Sequence, residues 1–133
     1  MIFIDTGAFY ARSVEADAFH RRAQAVWPRL AKERIFTTSL VICETAELLM
    51  RRTTPAFAAR TVRRILQTPA LTILRPSAAD ELAALDLMTK FADQMIGFAD
   101  CVSFLLMRQN HIRHAFGFDR HFATAGFTAW PES

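Results

Sequence analysis

Ile2-Phe3-Ile4-Asp5-Thr6-Gly7 decides the fold: three large apolar residues in a row, then an acid, a hydroxyl and a glycine that turn the chain toward a helix. An apolar run without alternation reads as a strand buried on both faces. The pattern recurs. Arg34 to Thr38 reads as a second strand, Leu71 to Leu74 as a third stopped by Pro76, His114 to Phe118 as a fourth, and Phe127 to Trp130 as a last edge strand. Helical stretches separate them. Glu15 to Glu33 carries Phe19, Ala23, Val26, Trp27 and Leu30 at three- and four-residue steps, with Pro28 kinking or splitting it. Ser39 is expected to cap a helix bearing Leu40, Ile42, Cys43, Leu48 and Leu49, which ends near Pro55. An arginine-rich helix follows from Pro55 to about Gln67, and Ser77 caps another through Leu82, Leu85, Met88 and Phe91. A helix from about Ala99 to Asn110 and a helical turn from Arg120 to Ala125 complete the series. Strand–helix–strand order implies parallel pairing through right-handed crossovers. The expected architecture is α/β, with three layers (α/β/α) around a central parallel sheet of four to five strands.

Composition bounds the function. A chain of 133 residues suits one domain spanning 1–133, and 52% hydrophobic against 22% charged residues allows a real core. No apolar run approaches the ~20 residues of a membrane span, and an acid at Asp5 without a basic leader argues against a secretory signal. The reading is a cytoplasmic protein with no membrane part. Cys43 and Cys101 exclude a disulfide scaffold and form no zinc spacing, so both are expected as small buried hydrophobes. Of 16 cationic residues only Lys32 and Lys90 are lysine. Between Glu47 and Asp80 there is no acid, while Arg51, Arg52, Arg60, Arg63, Arg64 and Arg75 all fall there. Clustered guanidinium groups suit phosphate oxygens and attract nucleic acid; a solvated helix face or a contact with an acidic protein explains them equally.

In open parallel sheets, sites form beyond the carboxyl ends of strands. Asp5 follows the first strand there, Asp119 follows the fourth, Asp100 opens a helix after a glycine-containing loop, and Glu44 lies early in the helix after the second strand. Singly, Asp5, Asp100 and Asp119 also read as helix caps. Glu44 has no cationic partner at Leu48 and is flanked by Val41, Ile42 and Cys43, whereas Glu47 stands four residues before Arg51 in the favourable order for a helical ion pair. Jointly the four acids are hard to explain as caps. Grouped carboxylates repel one another unless a cation holds them, and hard divalent ions such as Mg²⁺ or Mn²⁺ take oxygen ligands. Asp80, Glu81 and Asp86 read as a solvent face, Asp93 as a residue able to approach Asp100, His20 as a solvated helix residue and His121 as a packing or capping group. There is no Ser/His/Asp or Cys/His pattern for nucleophilic catalysis and no glycine-rich phosphate loop. An aspartyl-phosphate enzyme would need an acid at position 7, which is Gly7. Asp5-Thr6-Gly7 resembles an aspartic protease motif, but that fold is all-β.

Ile4 to Ala8, Val41 to Glu44, Phe98 to Phe104, and Phe118 to Phe122 with Gly126-Phe127 together resemble the PIN-domain nucleases, and the closing stretch is most similar to the VapC-type toxins of toxin–antitoxin pairs. The resemblance covers essentially the whole chain. It implies a Mg²⁺- or Mn²⁺-dependent endoribonuclease, homodimeric, neutralised by a cognate VapB-like antitoxin. Asp5, Glu44, Asp100 and Asp119 fall on the family's catalytic, metal-holding quartet, and Thr6 and Ser103 on supporting hydroxyl positions. Arg12, Arg51, Arg52, Arg60, Arg63, Arg64 and Arg120, with Arg21 and Arg22, are the candidates for holding RNA, although Arg120 equally suits a salt bridge to an acid. Gly117 departs from the family pattern, which often has Thr or Ser there. Phe9, Tyr10, Phe57 and Val62 suit a dimer or antitoxin surface, or the core. The alternative class is a PIN-like module that binds RNA or protein without catalysis.

Overall fold

In the computed structural model, which describes residues 1–132, Ile2–Ile4 forms strand β1, buried at all three positions. β2 (Ile35–Thr38) and β3 (Leu71–Leu74) lie to one side of it, and β4 (His114–Phe116) and β5 (Thr128–Ala129) to the other. Every pairing is parallel, with Ile2 opposite both Ile35 and His114, and Ile4 opposite Phe116. Seven helices flank the sheet in three α/β/α layers: α1 (Thr6–Ser13), α2 (His20–Val26), α3 (Ser39–Arg52), α4 (Pro55–Leu66), α5 (Ala78–Lys90), α6 (Phe98–Gln109) and α7 (His121–Thr124). The uninterrupted apolar run of β1 thus marks the central strand. Phe3, Phe104, Phe116 and Val102 are fully buried around it or within about 2% of being so. No helix among the described residues is long and apolar enough to cross a membrane.

Local chemistry moves several expected boundaries. The stretch 15–33 is split at Pro28, one of the two outcomes expected there, but its helix starts late: a turn occupies residues 15–19, where Asp17 Oδ2 accepts from the Phe19 amide at 3.0 Å. A 3₁₀ segment with Pro28 in its first turn then runs over Trp27–Lys32. Thr38, not Ser39, caps α3, its hydroxyl accepting from the Val41 amide. β4 stops at Phe116 because its partner β1 ends at Ile4, and the Asp5 amide takes the Phe116 carbonyl at 2.9 Å. Cys101 is buried as expected, but Cys43 is exposed, off the face through which Val41, Ile42, Thr45 and Leu49 meet the core. Ser77 does cap α5, in a reciprocal capping box with Asp80. Ala84 is the buried residue of that helix, while Leu82 and Leu85 are exposed. Phe9 and Tyr10 are buried, and Phe57 and Val62 pack half-buried beside Tyr10, Leu49 and Ala58.

Candidate active site

The chain leaves β1 toward β2 and β3 on one side and only later reaches β4 and β5 on the other. The crevice between the carboxyl ends of β1 and β4 is therefore where such a sheet opens a site. Asp5 enters it as the residue after β1. Its backbone carbonyl accepts from the Ala8 and Phe9 amides and starts α1, yet its carboxylate makes no capping hydrogen bond. Only 5% of Asp5 is exposed, and its Oδ1 is buried without a partner. A side chain serving as an N-cap would have accepted the amide two or three residues further on, so the cap reading of Asp5 fails.

Asp100, Glu44 and Asp119 come to the same crevice. Asp100 sits in the first turn of α6, behind an N-cap supplied by Gly97, and its Oδ2 lies 3.0 Å from His121 Nδ1. Asp119 has a double role: Oδ1 accepts from the His121 amide at 2.9 Å, while Oδ2 stands 3.2 Å from His121 Nδ1. Glu44 projects from α3, and the Thr6 hydroxyl donates to its Oε1 at 3.3 Å. These four acids, with Thr6, Phe19, Phe118 and Arg120 among their neighbours, line an open cavity of about 880 Å³.

Electrostatics follows from the crowding. Burial first, then Asp100, Glu44 and Asp119, push the Asp5 carboxyl up to about 8, with only the Thr6 amide opposing. Lost hydration and the charge of Asp100 raise Glu44, and the Thr6 hydroxyl offsets part of that. Asp100 is raised by burial and by Asp119, and lowered by its hydrogen bond to His121. Such a group is stable either protonated or with a cation among it. The donor set fits a divalent ion: the orphaned Oδ1 of Asp5 lacks only an electropositive partner. One ligand atom each from Asp100, Asp119 and His121 lies within 4.8 Å of the others.

His121 was read from sequence as a packing or capping group, and the structure instead sets its ring between two carboxylates. The spacing Asp119-x-His121 at the start of a helical turn is the signal that could have found it. Ser103 gives its hydroxyl to the backbone rather than to a carboxylate: it is fully buried, and its hydroxyl donates to Ala99 O at 3.0 Å, the ordinary back-bond of a helical serine. Asp93 is exposed in the 3₁₀ turn over Ala92–Gln94, and Gln94 rather than Asp93 reaches the cavity. Glu47 makes no ion pair with Arg51, and both line a smaller neighbouring cavity with Glu44. His20 is not simply solvated, because its Nδ1 meets Ala11 O at 2.7 Å. Gly117 packs against the buried acid: a Cβ there would lie 3.1 Å from Asp5 Cβ and 3.4 Å from its Oδ2. The absence of a side chain at 117 is thus matched to the position of Asp5.

The arginines divide by place. Arg52 and Arg120 line the carboxylate cavity. Arg12 and Arg64 line a separate groove of about 440 Å³ between α1, α2 and α4. Arg60 lies over Phe57 and Arg22 over Phe118, at 6.0 and 5.8 Å from the ring centres. Arg21 and Arg63 are exposed and border none of the cavities described here.

The PIN-domain family model matches residues 2–128. The chain belongs to the PIN-domain family. This PIN domain is 33% identical over 129 residues to the 23S rRNA-specific endonuclease VapC20 of Mycobacterium tuberculosis, a match covering 96% of this chain and 95% of that protein. The crystal structure of M. tuberculosis VapC20, a sarcin-ricin loop cleaving toxin, matches the PIN domain with a TM-score of 0.89 at 29% identity, over 96% of this chain and 97% of that one. FitAcB from Neisseria gonorrhoeae matches with a TM-score of 0.71 at 17% identity, covering 97% and 96%, and shows the shared fold.

Proposed function

We propose that this PIN domain is a Mg²⁺- or Mn²⁺-dependent endoribonuclease and the toxin of a type II toxin–antitoxin pair. The observation that carries the reading is the buried Asp5 carboxyl, unpartnered at Oδ1 and surrounded by Glu44, Asp100 and Asp119. The names of the VapC20 relatives support the same activity and point to ribosomal RNA as the substrate.

Asp5, Asp100 and Asp119, with His121, would hold the cation, which would relieve their mutual repulsion. The ion, when bound, supplies the Lewis acid that acidifies a water and neutralises the charge developing on phosphate. Glu44 is the group to orient the attacking water and take its proton: it stands in the same crevice, burial and the charge of Asp100 raise its carboxyl above the ordinary value, and the Thr6 hydroxyl fixes one of its oxygens. Arg52 and Arg120 on the cavity wall hold the flanking phosphates. A cognate VapB-like antitoxin would silence the enzyme by placing a cationic side chain among the carboxylates. A homodimer is the assembly in which we expect the toxin to act.

The test is cleavage of 23S rRNA by the purified protein. We expect cleavage with Mg²⁺ or Mn²⁺, none in EDTA, and none from Asp5→Asn or Asp100→Asn variants that keep their far-UV circular dichroism. Undiminished cleavage by either variant sinks the assignment. Expression should arrest growth, and co-expression of the neighbouring small gene's product should restore it.

A further inference from the structure

Phe19 is a large apolar side chain left 43% exposed at the rim of the carboxylate cavity. It lies flat on Phe118, with ring centres 4.3 Å apart and planes 6° from parallel. Core aromatics of this protein meet at steeper angles, as Phe104 and Phe122 do at 86°. The pair is held in place from below. The Phe19 amide donates to Asp17 Oδ2, the neighbouring His20 ring bonds Ala11 O, and Phe118 packs edge-on against the buried Phe116 at 6.1 Å. Phe118 also immediately precedes Asp119, so the stack is tied by one peptide unit to a carboxylate of the site. Arg22 places its guanidinium 5.8 Å from the centre of the Phe118 ring.

The geometry points to a stacking platform for one unpaired nucleobase: the exposed ring of Phe19 receives a base of the RNA strand whose backbone crosses the carboxylates, and Arg22 takes an adjoining phosphate. This rests on the ribonuclease reading above. A preformed aromatic surface suits a base because every base has a π-face and the rings here lose little freedom on binding. A phosphate-free partner is disfavoured, because cationic side chains (Arg22, Arg52 and Arg120) stand around the platform and its cavity.

The test is steady-state cleavage of a hairpin RNA with the sarcin-ricin loop sequence, together with copies carrying a single abasic nucleotide at each loop position. Phe19→Ala should lower kcat/KM by about 5- to 150-fold, the equivalent of ~1–3 kcal/mol for a base stacked on an aromatic ring. Phe19→Trp should retain activity. Phe19→Leu, which keeps an apolar cover over Phe118, should fall with the Ala variant. At one abasic position the parent enzyme should already have lost the same factor, and Phe19→Ala should cost nothing further. An Ala or Leu variant within twofold of the parent, or an equal Ala loss on every abasic RNA, overturns the platform while leaving the nuclease assignment standing. Cleavage untouched but antitoxin neutralisation lost would give the surface to the protein partner and equally overturn it. Failure of the parent to cleave this hairpin and 23S rRNA removes the nuclease reading itself, and the platform with it.

Discussion

Replacing Asp5 with Asn interrogates the site through the stability of the fold, independently of RNA. Asp5 is 5% exposed, and its carboxyl is pushed from 3.8 up to about 8, by burial first and by Asp100 next. Its folded-state value lies above the unfolded one, so the folded protein binds more protons throughout that window, and stability must fall as pH rises through it. Each unit is equivalent to about 1.4 kcal/mol. Between pH 5 and pH 8 the Asp5 contribution to the loss is on the order of 4 kcal/mol, a large share of a typical domain stability of ~5–15 kcal/mol. Glu44 and Asp100 slope the same way, because both are raised. Urea unfolding in EDTA at pH 5, 6, 7 and 8 should therefore show a steep decline for the parent and a markedly shallower one for Asp5→Asn. Mn²⁺ added at pH 8 should restore the parent by roughly 3 kcal/mol at a hundredfold excess over Kd, since a ligand of the folded state stabilises by mass action. It should do far less for the variant. Parallel pH profiles in EDTA, or equal rescue by Mn²⁺, would refute the argument that an unpaired buried carboxyl awaits a cation.

His121→Asn removes the ring that stands 3.0 and 3.2 Å from Asp100 and Asp119. Calorimetric Mn²⁺ titration should show affinity down by roughly 10- to 100-fold, the usual loss for groups that orient or join a metal site, and an unchanged Kd would remove His121 from it. Gly117→Ala puts a Cβ 3.1 Å from that of Asp5; such crowding costs about 1–3 kcal/mol, visible as a lower urea midpoint, and an unaltered midpoint would show that the contact yields freely. Arg52→Ala and Arg120→Ala should each flatten the salt dependence of RNA binding by about one unit of log–log slope, whereas Arg63→Ala, outside the cavities, should leave it alone.

The layered fold was legible because its strands carry their own label. Ile2-Phe3-Ile4 has no polar alternation, and only the central position of a sheet covered on both faces demands that. The boundary errors share a cause: backbone ends are settled by single hydrogen bonds that periodicity does not register. Asp17 turning back to the Phe19 amide delayed the helix expected from residue 15 until His20, and Thr38 displaced Ser39 as a cap by one residue. The exposure of Cys43, Leu82 and Leu85 has a different origin. Each is apolar enough for a core, but whether a helix turns it inward depends on what that helix packs against, which residue type does not state.

Within the crevice, legibility followed the chain's own geometry. Asp5 and Asp119 could be assigned to one place because β1 and β4 end side by side, which sets the position of Asp5 directly after its strand; Asp119 stands three residues past the observed end of β4 rather than directly after it, and the short loop from Phe116 still delivers it to the same crevice. Glu44 needed the added argument that charge in an apolar setting requires a partner, and Asp100 was placed by its position at the start of a helix after a glycine-containing loop. His121 and Phe19 were not singled out for the crevice because their roles depend on rotamer and cross-element contact: the His121 ring reaches Asp100 across 21 residues, and Phe19 meets Phe118 across a gap of nearly a hundred. The arginine run shows the converse failure. Its residues cluster in sequence between Arg51 and Arg64, yet a helical period of 3.6 residues disperses them around α3 and α4, so that Arg52 faces the carboxylates while Arg64 lines another groove. Acids at strand ends are gathered by the sheet, whereas cations along a helix are scattered by it; the basic run in this sequence was therefore evidence about the kind of partner and weak evidence about which residue touches it.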